Sequence, residues 1–343
     1  MKNRYFFSIV ILNFNGYWLI RDCLLHIEKQ TFSDYEVIVV DNGSTDGSVD
    51  FLRRYVSGKK NYKLILLNEN KGYTGGNNIG FKHVEGKYIL LLNNDAFIKE
   101  DFLMRAHQHI KENNEYQMFA TKVLRWDDPE IIDKVGHLIY PDGLNRGRGH
   151  LQRDEGQFDE VEEILWPDGS AAIYSGELIR EVRGFDEVFF AYGDDADLGM
   201  RSRLLGYKAQ YLPFCISLHK HSSTAGRFSP LKIMLVERNR LFLLVKNFPL
   251  KKVLISPYYT FIRYAYNFYG LLKNRGSAGE FKRENGSFKL FFALLKAYVS
   301  FFKNLPHILS ERRKIQKSRK LSTREICKIL EKYRIDVKEL TLN

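Results

Sequence analysis

Asparagine and aspartate side chains recur directly after four short apolar runs in the first hundred residues. Any one of these loops is explained by the turn-forming tendency of Asn, Asp and Gly. Four such loops together favour a ligand-binding site, because parallel strands bring their carboxyl ends to one edge of a sheet. The residues concerned are Asn13, Asn15, Asp41, Asn42, Ser44, Asn70, Lys71, Gly72, Asn93, Asn94 and Asp95.

One carboxylate, Asp95, follows the apolar run Ile89–Leu92, which predicts that it lies at the sheet edge. A carboxylate in that position costs desolvation free energy unless a cation or a hydrogen-bond donor compensates its charge. Mg²⁺ and Mn²⁺ take oxygen ligands and bridge carboxylates to substrate phosphates. Asp95 is therefore a candidate metal ligand, and the alternative is that it caps the turn that follows.

Three carboxylates stand within four residues at Asp194, Asp195 and Asp197. Adjacent like charges raise the pKa of at least one of them, which favours a general base. The alternative is structural, because acidic residues complement the dipole at the N-terminus of a helix, here one predicted through Leu198–Leu205. Both interpretations place a helix start at this point.

Two histidines, His219 and His221, fall on one side of a predicted extended segment, since side chains alternate along a strand. Imidazole is a common metal ligand, so one interpretation is a metal site. The other interpretation is a pair of exposed histidines.

The elements that would position these residues follow from hydrophobic periodicity. Short apolar runs alternate with segments of helical spacing, which predicts an α/β fold with a mostly parallel sheet flanked by helices. Ligands of such sheets bind beyond the carboxyl ends of the strands. The predicted strands are Ser8–Leu12, Glu36–Val40, Lys63–Leu67 and Tyr88–Leu92, and the predicted helices are Tyr17–Glu28, Gly47–Val56 and Asn77–Val84.

The segment from Lys71 to Asn78 is rich in glycine but lacks the G-x-G-x-x-G spacing of dinucleotide-binding loops. Thr74 is placed to cap a helix that begins near Gly75, whose backbone N–H groups would then face an anion. A tight turn before a helix is the alternative.

Charge divides the chain of 343 residues into two parts. The formal net charge is +12, but the first 227 residues hold 28 Lys and Arg against 33 Asp and Glu, whereas residues 228–343 hold 25 against 8. A length beyond the ~250–300 residues of a single core also predicts two parts. We expect one domain over 1–228 and a basic, aromatic-rich helical region over 229–343, which would meet nucleic acid or an anionic membrane.

Lysines recur every seven residues at Lys289, Lys296 and Lys303, within a run of aromatic and aliphatic residues. On a helix this spacing gives a cationic line beside a broad apolar face, which is typical of a helix that lies in a membrane interface. The alternative is a helix packed on the rest of the protein with snorkelling lysines.

No secretory signal opens the chain, and Pro257 and Arg263 interrupt its apolar stretch Val253–Leu272. The three cysteines lie too far apart for a zinc motif and are too few for a disulfide framework. We therefore expect a cytoplasmic protein that is peripheral on the inner face of the plasma membrane.

Taken in order, the motifs closely resemble those of family 2 inverting glycosyltransferases, and within them the bacterial rhamnosyltransferase-type enzymes. The resemblance covers roughly residues 5–245 and implies a GT-A-like, Rossmann-like sheet with 1–228 as the catalytic domain. The motifs are Val10–Asn15, Val39–Asp46, Asn70-Lys71-Gly72, Asn93-Asn94-Asp95, Gly184–Glu187, Asp194-Asp195 and His219.

The resemblance implies a role for each matching residue. Asp195 would be the catalytic base, Asp95 and His219 would hold a divalent metal, Mg²⁺ or Mn²⁺, and Asp194 would bind the acceptor. Trp166 and Asp168 are expected to bind the acceptor as well. Asn93 stands where the family's commoner Asp-x-Asp motif has its first Asp, so metal binding should be weakened. The donor-binding residues would be Asn13, Asn15, Asp41, Asn42, Ser44, Lys71, Gly72, Asn77, Asn93 and Asn94.

The implied activity is inverting, metal-dependent transfer of a sugar from a nucleoside diphosphate donor, with dTDP-L-rhamnose favoured and UDP sugars as the alternative. The acceptor would be a saccharide hydroxyl, in a polyprenyl-diphosphate-linked chain used for cell-surface polysaccharide. A nucleotidyltransferase of similar architecture and a non-catalytic nucleotide- or lipid-binding relative are the rival interpretations. Nucleic acid is not an expected partner, because the strand-end loops carry Asp41, Asp46 and Asp95.

Overall fold

The computed structural model describes residues 4–220, 229–273, 275–276, 279–280 and 287–342. Its central sheet begins with four parallel strands in the order β3-β2-β1-β4. These strands correspond to the four apolar runs of the sequence, with β3 ending one residue before the predicted Leu67, so the predicted parallel α/β sheet is confirmed. Their bounds are β1 Tyr5–Asn13, β2 Tyr35–Asp41, β3 Tyr62–Leu66 and β4 Gly86–Asn93.

Beyond β4 the sheet becomes mixed. Strand β11 lies antiparallel between β4 and β6, and β12 runs parallel to β6. Short strands pair at this end, β5 and β10 with β12 and β7 with β6, while β8 and β9 form a separate two-stranded sheet. The bounds are β5 Ala96–Ile98, β6 Met118–Arg125, β7 Ile132–Lys134, β8 His137–Ile139, β9 Asn145–Gly147, β10 Glu162–Ile164, β11 Ala171–Ser175 and β12 Ala209–His219.

The helices of the first two hundred residues follow the predicted pattern with one correction. Helix α3 begins at Gly72, so Thr74 lies inside its first turn and does not cap it. The glycines of α3 allow close packing on the sheet, since a Cβ atom at Gly76 would lie 2.3 Å from Leu12 Cδ1. The bounds are α1 Tyr17–Glu28, α2 Ser48–Val56, α3 Gly72–Phe81, α4 Phe102–Glu112, α5 Gly176–Val182, a 3₁₀ turn Glu187–Phe189 and α6 Asp194–Leu204.

The later part of the chain is helical in the described ranges. None of the described helices is both long and apolar enough to cross a membrane. The bounds are α7 Pro230–Asn247, α8 Leu250–Lys273, α9 Ser287–Ser318, α10 Thr323–Lys332 and α11 Val337–Leu342.

Two compact units divide the chain, and each is drawn from separated segments. The first contains 1–137, 147–190 and 207–224, and the second contains 138–146, 191–206 and 225–343. The core of the first unit forms where β1 and β2 pack against the buried faces of α1 and α4. The functional division into 1–228 and 229–343 stays a prediction.

In the second unit, α7 and α9 pack along each other. Buried charged side chains of α7 and α8 pair with one another and with Asp142. Arg263 on α8 donates to Asp142 Oδ2 over 2.6 Å and to Glu237 Oε2 over 3.0 Å. Arg240 also pairs with Glu237, and Tyr264 donates to Glu237 Oε1 over 2.5 Å. Burial alone would raise the pKa of Glu237, but Arg240 and Arg263 lower it to about 2. These paired charges join α7, α8 and the loop at Asp142.

Candidate active site

Asn13 joins the carboxyl ends of three neighbouring strands. Its Nδ2 donates to Asp41 Oδ2 at the end of β2 over 2.9 Å, and its Oδ1 accepts from Asn94 Nδ2, just after β4, over 2.8 Å. The parallel registers Asn13↔Asp41 and Leu12↔Asn93 bring these residues to the same edge. All three side chains are buried. The predicted clustering of strand-end polar residues is therefore present.

The loops after β1 and β2 hold each other through side-chain to backbone hydrogen bonds. Ser44 N donates to Asp41 Oδ1 over 2.8 Å, and Asn15 N donates to Ser44 Oγ over 2.9 Å. Asn15 Oδ1 in turn accepts from Thr45 N over 2.8 Å, and Asn15 itself has a positive φ of 48°. Asn tolerates this left-handed conformation better than most residues. The loops thus form a preorganised rim.

Asn42 connects this rim to the loop after β3. Its Nδ2 donates to Asn70 Oδ1 over 2.9 Å, and its Oδ1 accepts from Lys71 N over 2.9 Å. The side chain of Lys71 pairs with Glu69. Gly72 has a φ of +74°, and a Cβ atom there would lie 2.5 Å from the Phe190 ring. Position 72 therefore requires glycine.

Two other predicted donor-binding residues lie nearby. Asn77 is buried on α3, where its Nδ2 donates to Tyr73 O over 2.9 Å. Its Oδ1 is buried and accepts no hydrogen bond from the described residues. Asn93 ends β4 and is partly exposed.

Asp95 and His219, the two predicted metal ligands, are in contact. Asp95 Oδ1 lies 3.2 Å from His219 Nε2, and both side chains are largely buried. On its other side, His219 Nδ1 lies 2.7 Å from Asp133 Oδ2. Burial alone would lower the pKa of His219, but the charge of Asp95 and the hydrogen bonds to Asp133 and Asp95 raise it to about 9. His221 lies outside the described residues.

The donor set at this point fits a divalent cation. Octahedral ligands at the 2.0–2.1 Å typical of Mg²⁺ lie about 3.0 Å apart when they are adjacent. The 3.2 Å between Asp95 Oδ1 and His219 Nε2 is close to this separation. A carboxylate oxygen and an imidazole nitrogen are ligand atoms that divalent cations of this kind accept.

Asp168, a predicted acceptor-binding residue, is buried among positive and donor groups. Its Oδ2 lies 2.8 Å from Lys134 Nζ and 3.2 Å from His137 Nε2, while Oδ1 accepts from Ser170 N over 2.8 Å. Burial alone would raise the pKa of Asp168, but Lys134 and His137 hold it well below its ordinary value. Trp166, the other predicted acceptor residue in this loop, is fully buried with its ring stacked near His137.

The three clustered carboxylates of α6 have different surroundings in the second unit. Asp197 is buried and pairs with Lys246 Nζ at 3.0 Å and with Arg201 Nε at 2.8 Å. Asp194 is buried as well, whereas Asp195 is partly exposed and its Oδ1 accepts from Ala196 N over 2.8 Å. Asp197 is thus committed to an ion-pair network, whereas Asp195 is the most exposed of the three carboxylates.

Three residues near these sites were not predicted from the sequence. Asp133 and Lys134 lie on the three-residue strand β7, which has no motif to single it out. Asn239 on α7 donates through Nδ2 to the carbonyls of Ala191 and Tyr192, over 2.8 and 2.6 Å, and so holds the loop that precedes α6.

The fold is that of GT-A glycosyltransferase structures. It is similar to the crystal structure of S. aureus TarS 1-349 in complex with UDP-GlcNAc, with a TM-score of 0.54 and 18% identity over 95% of this chain and 91% of that one. It is also similar to the mannosyltransferase PcManGT from Pyrobaculum calidifontis in complex with GDP-Man and Mn²⁺, with a TM-score of 0.51 and 16% identity over 96% and 85% of the two chains.

Residues 8–177, just under half of the chain, match the family described as glycosyl transferase family 2. Among curated relatives, a poly(ribitol-phosphate) beta-glucosyltransferase of Bacillus spizizenii is 38% identical over 112 residues, 31% of this chain and 17% of that protein. Glycosyltransferase GlyG of Streptococcus pneumoniae is 32% identical over 108 residues, 31% and 36% of the two chains. These alignments thus span well under half of either relative.

Proposed function

We propose that this protein is an inverting, metal-dependent glycosyltransferase. It would move a sugar, L-rhamnose from dTDP-rhamnose or a sugar from a UDP donor, to a hydroxyl of a lipid-linked saccharide in cell-surface polysaccharide synthesis. The contact between Asp95 and His219 at the carboxyl edge of the sheet is the observation that carries this proposal. The similarity to a poly(ribitol-phosphate) beta-glucosyltransferase and to other glycosyltransferases supports the reaction class.

The nucleotide would bind along the rim formed by the loops after β1, β2 and β3. Hydrogen bonds from Asn13 and Ser44 fix the carboxylate of Asp41 there. This carboxylate has further lone pairs that would accept a hydrogen bond from a ring N–H of the nucleotide base. Glycine at position 72 lets the loop after β3 pack closely against Phe190, which fixes the position of that loop in the rim. These features suit a flat, polar ligand that is oriented by hydrogen bonds.

Asp95 and His219 would hold the cation. An imidazole nitrogen beside a carboxylate favours Mn²⁺ over Mg²⁺, because Mg²⁺ prefers oxygen ligands. When bound, the cation supplies positive charge to the diphosphate as it leaves the anomeric carbon. The chain's part is to fix the two ligand atoms, and the buried positions of both side chains do this.

Asp195 would take the proton from the acceptor hydroxyl as that hydroxyl attacks the anomeric carbon. A positioned base of this kind contributes about 10²–10⁴ in rate. The attack forms the new C–O bond while the bond to the diphosphate breaks, so the anomeric configuration inverts and no covalent enzyme intermediate forms. Asp195 is partly exposed and could therefore be reached by an acceptor hydroxyl, which supports this assignment.

The second unit would associate with an anionic membrane. Helix α8 buries its polar side, including Ser256 and Arg263, and exposes apolar residues at alternating spacings of three and four. Helix α9 does the same on the side opposite its packed face, with Lys289, Lys296 and Lys303 exposed beside the apolar stripe. We call these two stripes together the apolar face: Leu254, Tyr258, Phe261, Phe268 and Leu272 of α8, and Phe288, Phe292, Leu295, Val299 and Phe302 of α9.

Exposed apolar surface of this extent marks an interaction site, and amphipathic helices with lysines at the margin of the apolar stripe suit the headgroup region of a bilayer. Such a location would bring the enzyme to a lipid-linked acceptor. The proposal for the membrane and the proposal for the reaction rest on different residues.

The reaction proposal is tested by thermal unfolding of the full chain with dTDP-rhamnose, dTDP, UDP-glucose and UDP, each with Mn²⁺ and with EDTA. We expect one nucleotide series to raise Tm with Mn²⁺ and to lose most of that effect in EDTA. A chain stabilised equally in EDTA would have a metal-independent nucleotide site. Stabilisation by none of the four would count against both donor classes.

A further inference from the structure

Asp133 is fully buried between two histidines. Its Oδ2 lies 2.7 Å from His219 Nδ1, and its Oδ1 lies 3.5 Å from His150 Nδ1. The sheet register explains the first contact, because β7 pairs with β6 at Leu124↔Ile132, and β6 pairs with β12 at Arg125↔His219. A carboxylate from β7 therefore reaches the end of β12 across one intervening strand.

A hydrogen bond at one imidazole nitrogen decides what the other nitrogen can do. When a carboxylate accepts the Nδ1 proton of a histidine, the ring orientation is fixed, and in the neutral ring the lone pair that can bind a cation lies on Nε2. In this protein the Nε2 of His219 lies 3.2 Å from Asp95 Oδ1. The contact with Asp133 thus fixes the direction of Nε2, which points toward the place where Asp95 presents its oxygen.

We propose that Asp133 is a positioning residue that presents His219 Nε2 to the divalent cation shared with Asp95. The inference rests on the proposed function, since it takes Asp95 and His219 as the metal ligands. Asp133 would not touch substrate or metal. It would act through the orientation, the tautomer and the basicity of the imidazole.

The test uses the full chain and Mn²⁺ alone. Mn²⁺ affinity is measured by EPR, and pulsed EPR detects the ¹⁴N coupling of a coordinated imidazole. Loss of a carboxylate that orients a ligating histidine typically lowers metal affinity 10–100-fold. We expect a loss of this size in Asp133→Ala, a smaller loss in the isosteric Asp133→Asn, and a weaker ¹⁴N coupling in both.

Asp154→Asn is the matched control, because Asp154 is another carboxylate paired with a strand side chain, Lys122, at 2.9 Å. We expect it to bind Mn²⁺ as the wild type does. If Asp133→Ala does not fold, Asp133→Asn carries the test, with the thermal unfolding of each variant as the check. Wild-type affinity and wild-type ¹⁴N coupling in a folded Asp133 variant would overturn the inference.

The failure of the proposed metal site would look different. In that case His219→Gln would bind Mn²⁺ as tightly as the wild type, and the wild type itself would show no ¹⁴N coupling. Wild-type Mn²⁺ binding by the Asp133 variants alone would thus reject the role of Asp133, whereas wild-type binding by His219→Gln would reject His219 as a metal ligand.

Discussion

Asp133 and Lys134 are neighbours on β7 and hold two different predicted site residues. Asp133 Oδ2 lies 2.7 Å from His219 Nδ1, whereas Lys134 Nζ lies 2.8 Å from Asp168 Oδ2. Successive side chains of a strand point to opposite sides, which is why adjacent residues reach separate partners. A strand of three residues thus supports both the candidate metal ligand and the candidate acceptor residue.

Membrane association should depend on the lysines beside the apolar face. Each basic residue near anionic lipid contributes about 1 kcal/mol. We expect the wild type to sediment with anionic liposomes at 0.1 M salt. It should be partly released at 1 M, where the Debye length falls from about 10 Å to about 3 Å. The triple variant Lys289→Glu, Lys296→Glu and Lys303→Glu should bind less.

A variant with the same change of charge elsewhere separates location from net charge. Lys29→Glu, Lys60→Glu and Lys111→Glu alter three exposed lysines outside the second unit, and this variant should keep most of the binding. Equal losses of liposome binding in both triple variants would show that the net charge of the protein, and not the location of the lysines, determines binding. A wild type that ignores anionic liposomes at low salt would remove the membrane proposal.

Asp95→Asn should weaken the binding of Mn²⁺ and of the nucleoside diphosphate together. The amide lacks the negative charge that holds the cation, and the diphosphate then faces fewer positive charges. Isothermal titration with UDP or dTDP in Mn²⁺ should show the loss, and in EDTA the variant should bind like the wild type. Asp101→Asn, a change at an exposed carboxylate, should have little effect. Equal nucleotide affinity of Asp95→Asn and wild type in Mn²⁺ would exclude Asp95 as a ligand.

The strands β1 to β4 could be predicted because each is a short apolar run followed at once by Asn or Asp. The clustering of Asn13, Asp41 and Asn94 followed from the parallel order alone. The support from β7 could not be predicted, since three residues carry no periodicity and Asp133 reaches His219 across 86 positions. The N-terminus of α3 was misplaced because Gly72, Gly75 and Gly76 are poor helix formers, so that the sequence pattern does not reveal the first turns of this helix.

The stability of the metal-free protein should fall at alkaline pH because of His219. Its folded-state pKa is raised from 6.5 to about 9 by Asp95 and Asp133, against the opposing effect of burial. A raised pKa contributes stability that is fully present below about pH 6.5 and is lost as the pH rises through about 9. Thermal unfolding in EDTA should show that Tm of the wild type falls as the pH rises through this range. His219→Gln should flatten this dependence of Tm on pH, whereas His83→Gln, at an exposed histidine, should leave it unchanged. An unchanged slope in His219→Gln would refute this origin.

Glu237→Gln should destabilise the second unit by about 3–5 kcal/mol, because it leaves Arg240 and Arg263 buried without their shared carboxylate. Urea unfolding followed by circular dichroism measures the change. Glu311→Gln, which alters a helix-surface pair with Lys314, is the control and should cost less than about 1 kcal/mol. A similar small loss in Glu237→Gln would show that the buried pairs are not needed for stability.

Asp195→Asn should lower the turnover of the donor at least 10²-fold, while donor affinity stays within a few-fold of the wild type. The amide cannot take the proton of the attacking hydroxyl, but it changes little in the nucleotide rim. Asp50→Asn is the matched control, since Asp50 is also an acidic residue in the first turn of a helix. It should leave turnover unchanged.

Donor turnover followed by NMR with Mn²⁺ present, in wild type and in Asp195→Asn, tests whether Asp195 is the base of an inverting sugar transfer. We expect the wild type to release nucleoside diphosphate together with a sugar of opposite anomeric configuration to the donor, and Asp195→Asn to nearly abolish this release. A product that first appears with retained configuration, or turnover by Asp195→Asn above a tenth of the wild-type rate, would contradict it.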